Sequence, residues 1–282
     1  MSLTIEHLIR QASQQLEANS DTAKLDVELL LAHALKKDRT YLFTWHDKLL
    51  SAEEVEIFQS LFVRRIQGEP IAYILGQQEF WDLILHTAEH TLIPRADTET
   101  LIEWSLELAE SLPTNAAVID LGTGTGAIAL ALAKEQPSWK VEAVDVIPEA
   151  VKLAQANAHL NQLQRVNIYQ GSWFENVKGT FDLIVSNPPY IDPDDKHLSQ
   201  GDVRFEPKSA LIANNKGLAD LEYIAEQGRH YLVSGGWLLM EHGYDQLESV
   251  QAIFSRLGYQ QVSTRFDLGG NPRITGGQFF HE

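Results

Sequence analysis

Apolar residues in the first quarter of the chain recur at three- and four-residue spacing. Leu8 and Leu16, then Leu25, Leu29, Ala32 and Leu35, draw stripes of helical period between Thr4 and Gly68. The last helix of this stretch has a readable start, since Ser51 and Glu54 make a capping box ahead of the stripe Val55, Phe58, Leu61 and Phe62. Gly68 and Pro70 supply its stop. No catalytic cluster interrupts the stripes, so residues 1–78 are expected to form a small helical domain that recognises a partner. The period then changes. "EFWDLILH" and "HTLIPR" are β-rich and separated by a polar turn, which predicts a hairpin over residues 79–95 linking two domains.

From residue 96 onward strand and helix patterns alternate. Asp97 is placed to cap "TETLIEWSLELAES"; "AAVIDLG" precedes "GAIALALAKEQ", "KVEAVDV" precedes "PEAVKLAQANAHLNQ", and "FDLIVSNPPY", "GGWLLMEHG" and "QVSTRFDLG" follow. Such alternation predicts an α/β domain over 96–282, with a mostly parallel sheet covered by helices on both faces. "RITGGQFFHE" alternates as the final strand, with Gly276-Gly277-Gln278 inside it.

Composition narrows the class. At 282 residues the chain exceeds one ordinary compact domain, and 44% hydrophobic with 22% charged residues is ordinary for a well-packed protein. Apolar runs such as "GAIALALA" fall short of a membrane span, and "MSLTIEHLIRQ" lacks the basic and apolar regions of an export signal. A cytoplasmic protein without membrane contact is expected. The absence of cysteine excludes disulfides, thiolate nucleophiles and Cys-ligated zinc. His86 and His90 sit four apart, but on a hairpin that spacing does not bring both rings to one face, so no metal is expected. A net charge of -17 argues against direct nucleic-acid binding, which gains affinity by releasing counterions with clustered Lys and Arg. The basic residues of "RTYLFTWHDK" read as a turn between helices.

Two stretches carry chemistry. Gly122-Thr123-Gly124-Thr125-Gly126 lies between a strand and a helix, where glycines permit the unusual φ of a tight turn and close approach of a ligand. Asp145 closes the next strand about 20 residues on, where a carboxylate accepts from ribose hydroxyls. A dinucleotide site would want G-x-G-x-x-G; the shorter G-x-G-x-G looks like the S-adenosylmethionine turn of class I methyltransferases. The second stretch is Ser186-Asn187-Pro188-Pro189-Tyr190, at the end of a strand expected beside the first. Prolines have no N–H, so the turn offers acceptors: the Asn187 side-chain oxygen and the Pro188 carbonyl each take one hydrogen of a planar –NH2 group. Those acceptors stabilise positive charge building on the attacking nitrogen, and Tyr190 stacks on the planar group.

With "GEPIAYILGQQEFW" (68–81), "TLIPRADTE" (91–99), "DLGTGTGAIAL" (120–130), "AVDV" (143–146), "SWF" (172–174), "SNPPYI" (186–191), "FEPKSAL" (205–211) and "LMEHG" (239–243), the chain resembles the protein-(glutamine-N5) methyltransferases of peptide chain release factors, the HemK or PrmC family. The resemblance implies a helical N-terminal domain, a Rossmann-like class I methyltransferase domain, and S-adenosyl-L-methionine converted to S-adenosyl-L-homocysteine. The acceptor it implies is the glutamine of the Gly-Gly-Gln loop in class 1 release factors; a monomer is expected. Cofactor contacts are implied for residues 122–126, Asp145, Ser172, Trp173 and Asn187, and substrate contacts for Asn187, Pro188, Pro189 and Tyr190. Ser172 stands where the family often has an acid, and Ala96 where it often has proline. Arg95 and Glu99 are further candidates for shaping the site. A ribosomal-protein glutamine methyltransferase and an adenine-N6 nucleic-acid methyltransferase remain as alternatives, the second disfavoured by the acidity.

Overall fold

The computed structural model describes residues 3–281. They divide into two compact units: the described residues up to Gly76 with Ser199–Phe205, and Gln77–Leu198 with the described residues from Glu206 onward.

The first unit is helical: α1 Ile5–Leu16, α2 Ala23–Leu35, α3 Arg39–Thr44, α4 Ala52–Ile66 and α5 Ile71–Leu75. Local chemistry starts the helices. Thr4 and Asp38 accept from the backbone N–H of His7 and Tyr41, and Ser51 and Glu54 exchange both bonds of the capping box. Ile5, Leu16, Leu30, Leu31 and Phe58 are fully or almost fully buried at its centre. The α2 stripe differs from the one read in the sequence. Leu25 is exposed and Leu29 only partly buried, while Val27, Leu30, Leu31 and Ala34 turn inward. Two acids set this rotation. Asp26 is buried against Arg65 Nε at 2.8 Å and the Ser20 and Thr22 hydroxyls, and buried Glu28 accepts from Arg39 at 2.6 Å. Arg65 also donates to the Glu69 carbonyl and to Asp202, both at 3.0 Å, which ties the 199–205 segment to the helices.

The second unit opens with a hairpin, β1 Gln77–Phe80 and β2 Leu83–His86, whose turn residues Trp81 and Asp82 both have positive φ. It is earlier and shorter than the 79–95 hairpin expected, and "HTLIPR" forms no strand. Residues 87–95 are held instead by buried Glu206, which accepts from the Ile93 N–H at 3.1 Å and from Arg95 at 2.5 Å. The hairpin itself is latched by the fully buried Asn157 amide, which exchanges bonds with the His86 backbone at 2.7 and 3.1 Å and donates to the Thr125 carbonyl at 2.9 Å.

There follow α6 Glu99–Glu107, β3 Ala117–Leu121, α7 Ala127–Glu135, β4 Lys140–Asp145, α8 Pro148–Leu160, β5 Asn167–Gln170 and β6 Phe181–Ser186. Then come α9 Ala219–Gly228, β7 Leu232–Glu241, α10 Leu247–Arg256, β8 Gln260–Phe266 and β9 Pro272–Phe279. A 3-10 turn, Ala96–Thr98, precedes α6, so Asp97 is not its cap; Asp97 pairs with Arg273 at 3.2 Å instead. The sheet runs β5-β4-β3-β6-β7-β9-β8, parallel from β5 to β7, with β9 antiparallel to both neighbours. Successive strand residues face opposite sides. Val118, Leu183, Val185 and Leu239 join the core under α6, α7 and α8, whereas Ile119, Ile184, Leu238 and Met240 join the core under α9 and α10.

β9 lies between β7 and β8, and its Gly-Gly pair has a packing reason. A Cβ on Gly276 would lie 2.3 Å from Leu239 Cδ2 and 2.7 Å from the Trp104 ring, both buried. Gln278 is held on both sides, donating to the Gly235 carbonyl and accepting from Gln261, each at 2.6 Å. Gly276→Ala is expected to destabilise by about 1–3 kcal/mol through overpacking, read as a lower midpoint in urea at unchanged slope.

Candidate active site

Strand order reverses at β3, with β4 and β5 on one side and β6 and β7 on the other. Carboxyl ends of strands at such a point overhang a crevice. Here the crevice is a cavity of about 270 Å³, lined by Gly122, Thr123, Gly124, Thr125, Asp145, Ser172, Trp173, Asn187 and Pro189 among others. Of the site residues expected from the sequence, Gly126, Pro188 and Tyr190 are not in that lining.

The glycine-rich turn needs its glycines. Gly122, Gly124 and Gly126 have φ of +74°, +55° and +86°. A Cβ on Gly122 would also lie 3.2 Å from the Trp173 ring, so only glycine leaves space between turn and indole. Beneath the turn, Asp120 is fully buried; one oxygen accepts from the Thr123 hydroxyl at 2.6 Å and the Ala129 N–H at 3.3 Å, and burial pushes its pKa up to about 7. Asp145 accepts from the Gly124 N–H at 2.8 Å and the Ile147 N–H at 2.9 Å. Burial raises its pKa while these bonds and nearby His90 oppose the rise. The Val146 N–H also bonds the carboxylate, and three donors on four lone-pair sites leave one for a ligand hydroxyl.

On the other wall, the Ser186 hydroxyl donates to the Leu121 carbonyl at 2.7 Å and locks the end of β6 to the end of β3. The chain then turns through Asn187, whose Nδ2 donates to the Thr98 hydroxyl at 3.2 Å. Tyr190 donates its hydroxyl to buried Glu241 at 3.1 Å, and burial raises the phenol's pKa. Trp173, at φ +49°, shares a side-chain hydrogen bond with Asp220, another lining residue.

Arg95 lines the cavity, whereas Glu99 faces away and accepts from the Trp81 N–H at 3.3 Å. His90, weighed in the sequence only as a metal ligand, lines it, as do Thr98 and Asp220, which the sequence did not single out. The His90 Nε2 is buried and has no hydrogen-bond partner among the described residues. Only Thr98 carried a signal, since it belongs to "TLIPRADTE".

Similarity to known proteins points the same way. A family model described as the PrmC N-terminal domain matches residues 7–76, and one described as the methyltransferase small domain matches 103–205. A methyltransferase crystal structure from Pyrococcus furiosus shares the fold with a TM-score of 0.54 at 20% identity, over 78% of this chain and 98% of that one. Fold and cavity define a class I S-adenosylmethionine-dependent methyltransferase. The release factor glutamine methyltransferase of Aliivibrio fischeri is 50% identical over 99% of both chains, and that of Escherichia coli is 47% identical over 98% of this chain and 99% of its own. The chain belongs to the release factor glutamine methyltransferase family.

The residues present fit S-adenosylmethionine. The Trp173 indole beside Gly122, the Asp145 carboxylate and the unpartnered His90 Nε2 offer a flat apolar wall and polar partners in one cavity. Asp145→Ala is expected to weaken cofactor binding by about 1.5–3 kcal/mol, roughly 10- to 150-fold in Kd by calorimetric titration. Unchanged affinity would remove Asp145 from the cofactor contacts.

Proposed function

We propose that this protein methylates the side-chain amide nitrogen, N5, of the glutamine in the Gly-Gly-Gln motif of class 1 peptide chain release factors, as a cytoplasmic monomer. The observation that carries the reading is the position of Asn187 in the wall of the cavity that Gly122–Thr125 of the glycine-rich turn and Asp145 also line. S-adenosylmethionine supplies an electrophilic sulfonium methyl when bound. Gly122–Gly126, Asp145, Ser172 and Trp173 are the residues that would hold it. Asn187 Oδ1 accepts one hydrogen of the glutamine –NH2 and the Pro188 carbonyl the other, so the nitrogen's positive charge is stabilised as it develops. Tyr190, fixed through its hydroxyl, gives the planar amide a rigid aromatic neighbour. No dedicated base is needed, because the cationic N-methylated amide is acidic enough to lose its proton readily.

The test is incubation with labelled S-adenosylmethionine and three acceptors: release factor, ribosomal protein and DNA. Label is expected on the release factor, at the Gly-Gly-Gln glutamine; label on either of the others alone overturns the reading. The helical unit is read as the part that recognises the folded acceptor, and it exposes Phe43 and Trp45. Phe43→Ala/Trp45→Ala is expected to raise KM for intact release factor about tenfold while leaving KM for a short Gly-Gly-Gln peptide unchanged. Gln278 of the chain's own Gly-Gly-Gln is held on both sides within β9, so intact mass after long incubation with S-adenosylmethionine is expected to show no added methyl.

A further inference from the structure

We infer that Glu241 is a positioning residue for methyl transfer, which acts through Thr98 to dictate which way the Asn187 amide faces, so that Oδ1 stays free as an acceptor. The inference rests on the reading of Asn187 as the acceptor of the substrate –NH2.

Glu241, at the end of β7, is 1% exposed. One of its oxygens lies 2.6 Å from the Thr98 hydroxyl and the other 3.1 Å from the Tyr190 hydroxyl. Both hydroxyls donate to it, one to each oxygen, so both point their protons at Glu241. A hydroxyl has one proton. Thr98 therefore presents only lone pairs to Asn187, and the amide atom facing it at 3.2 Å has to be the donor, Nδ2. Oδ1 is left without a partner among the described residues, on a side chain that lines the cavity. One carboxylate thus holds both ends of the Asn187–Tyr190 turn, and its charge propagates as a hydrogen-bond direction through Thr98.

An apolar side chain would fill the end of β7 without the desolvation that a buried carboxylate incurs. Burial accordingly raises the Glu241 pKa, and the two hydroxyls and Arg273 oppose that rise. The carboxylate does what an apolar residue cannot, because an amide has near-equal shape in its two flips and only a neighbour of fixed donor or acceptor character distinguishes them. With Gln in place of Glu241, one hydroxyl meets an –NH2 instead of an acceptor. If that hydroxyl is Thr98, its proton turns to Asn187 and favours the flipped amide, which offers Nδ2 where the substrate needs an acceptor.

The experiment uses the full-length protein and its variants Glu241→Gln, Thr98→Val, Thr98→Ser and Asn187→Ala, with a Gly-Gly-Gln peptide as acceptor. Glu241→Gln and Thr98→Val are expected to bind S-adenosylmethionine within about threefold of the parent by calorimetry and to keep peptide KM, while kcat falls roughly 10- to 100-fold. Thr98→Ser, which keeps the hydroxyl, is expected to recover most of kcat. The double variant Glu241→Gln/Thr98→Val is expected to be no slower than the slower single one, since both break one relay. A readout without cofactor is the side-chain amide NMR resonance of Asn187, which is expected to shift in Glu241→Gln and Thr98→Val and to stay in place in Thr98→Ser. Parental kcat in Glu241→Gln, or equal losses in Thr98→Ser and Thr98→Val, overturns the relay. If Asn187→Ala keeps parental kcat, the acceptor reading itself fails; if it loses turnover while the relay variants do not, only the relay fails.

Discussion

Parallel pairing of β3 with β6 puts Leu121 beside Ser186, and the Ser186 hydroxyl closes the pair by donating to the Leu121 carbonyl at 2.7 Å. Both chemistry-bearing turns of the cavity hang from that junction. The chain leaving β3 becomes the glycine-rich turn, and the chain leaving β6 becomes the Asn187–Tyr190 turn, so two segments some sixty residues apart in sequence face each other across one crevice. The register leaves no freedom to slide, because a one-residue slip of β6 would carry Leu183 and Val185 out of one core and Ile184 out of the other.

Around this junction the protein concentrates carboxylates that its core would ordinarily reject. Asp120, Asp145 and Glu241 are all buried, and burial raises the pKa of each. Donors of fixed position hold each: backbone N–H groups for Asp145, two hydroxyls for Glu241, and a hydroxyl and an N–H on one oxygen of Asp120, whose other oxygen has no partner among the described residues. Buried carboxyl groups impose direction on the hydrogen bonds around them, which an apolar core does not. The same principle operates in the helical unit, where Asp26 and Glu28, neutralised by Arg65 and Arg39, decide which face of α2 turns inward.

Much of this was legible in the chain before any coordinates. The capping box at Ser51 acts over three residues, and the glycines of the 122–126 turn answer to local φ, so both kinds of signal survive in one dimension. Strand and helix alternation gave the sheet and its two covered faces for the same reason. Sequence pattern and structure part where a distant partner overrides local chemistry. "HTLIPR" has strand composition, but Glu206, more than a hundred residues on, holds that backbone in a loop. Asp97 stands where a cap would, but Arg273 draws it into an ion pair.

Sequence by itself determined the class of fold, the glycine-rich turn, the strand-end Asp145 and the Asn187–Tyr190 turn, because each is encoded in neighbouring residues with restricted backbone or donor chemistry. Tertiary structure alone decided which of them share a wall, that His90 and Asp220 join the cavity, and that Thr98 and Glu241 stand behind Asn187. The reason is physical. A carboxylate, a hydroxyl and an amide acquire direction only from what they touch, and Glu241, Thr98 and Asn187 come from three elements that meet only once the sheet has closed around them.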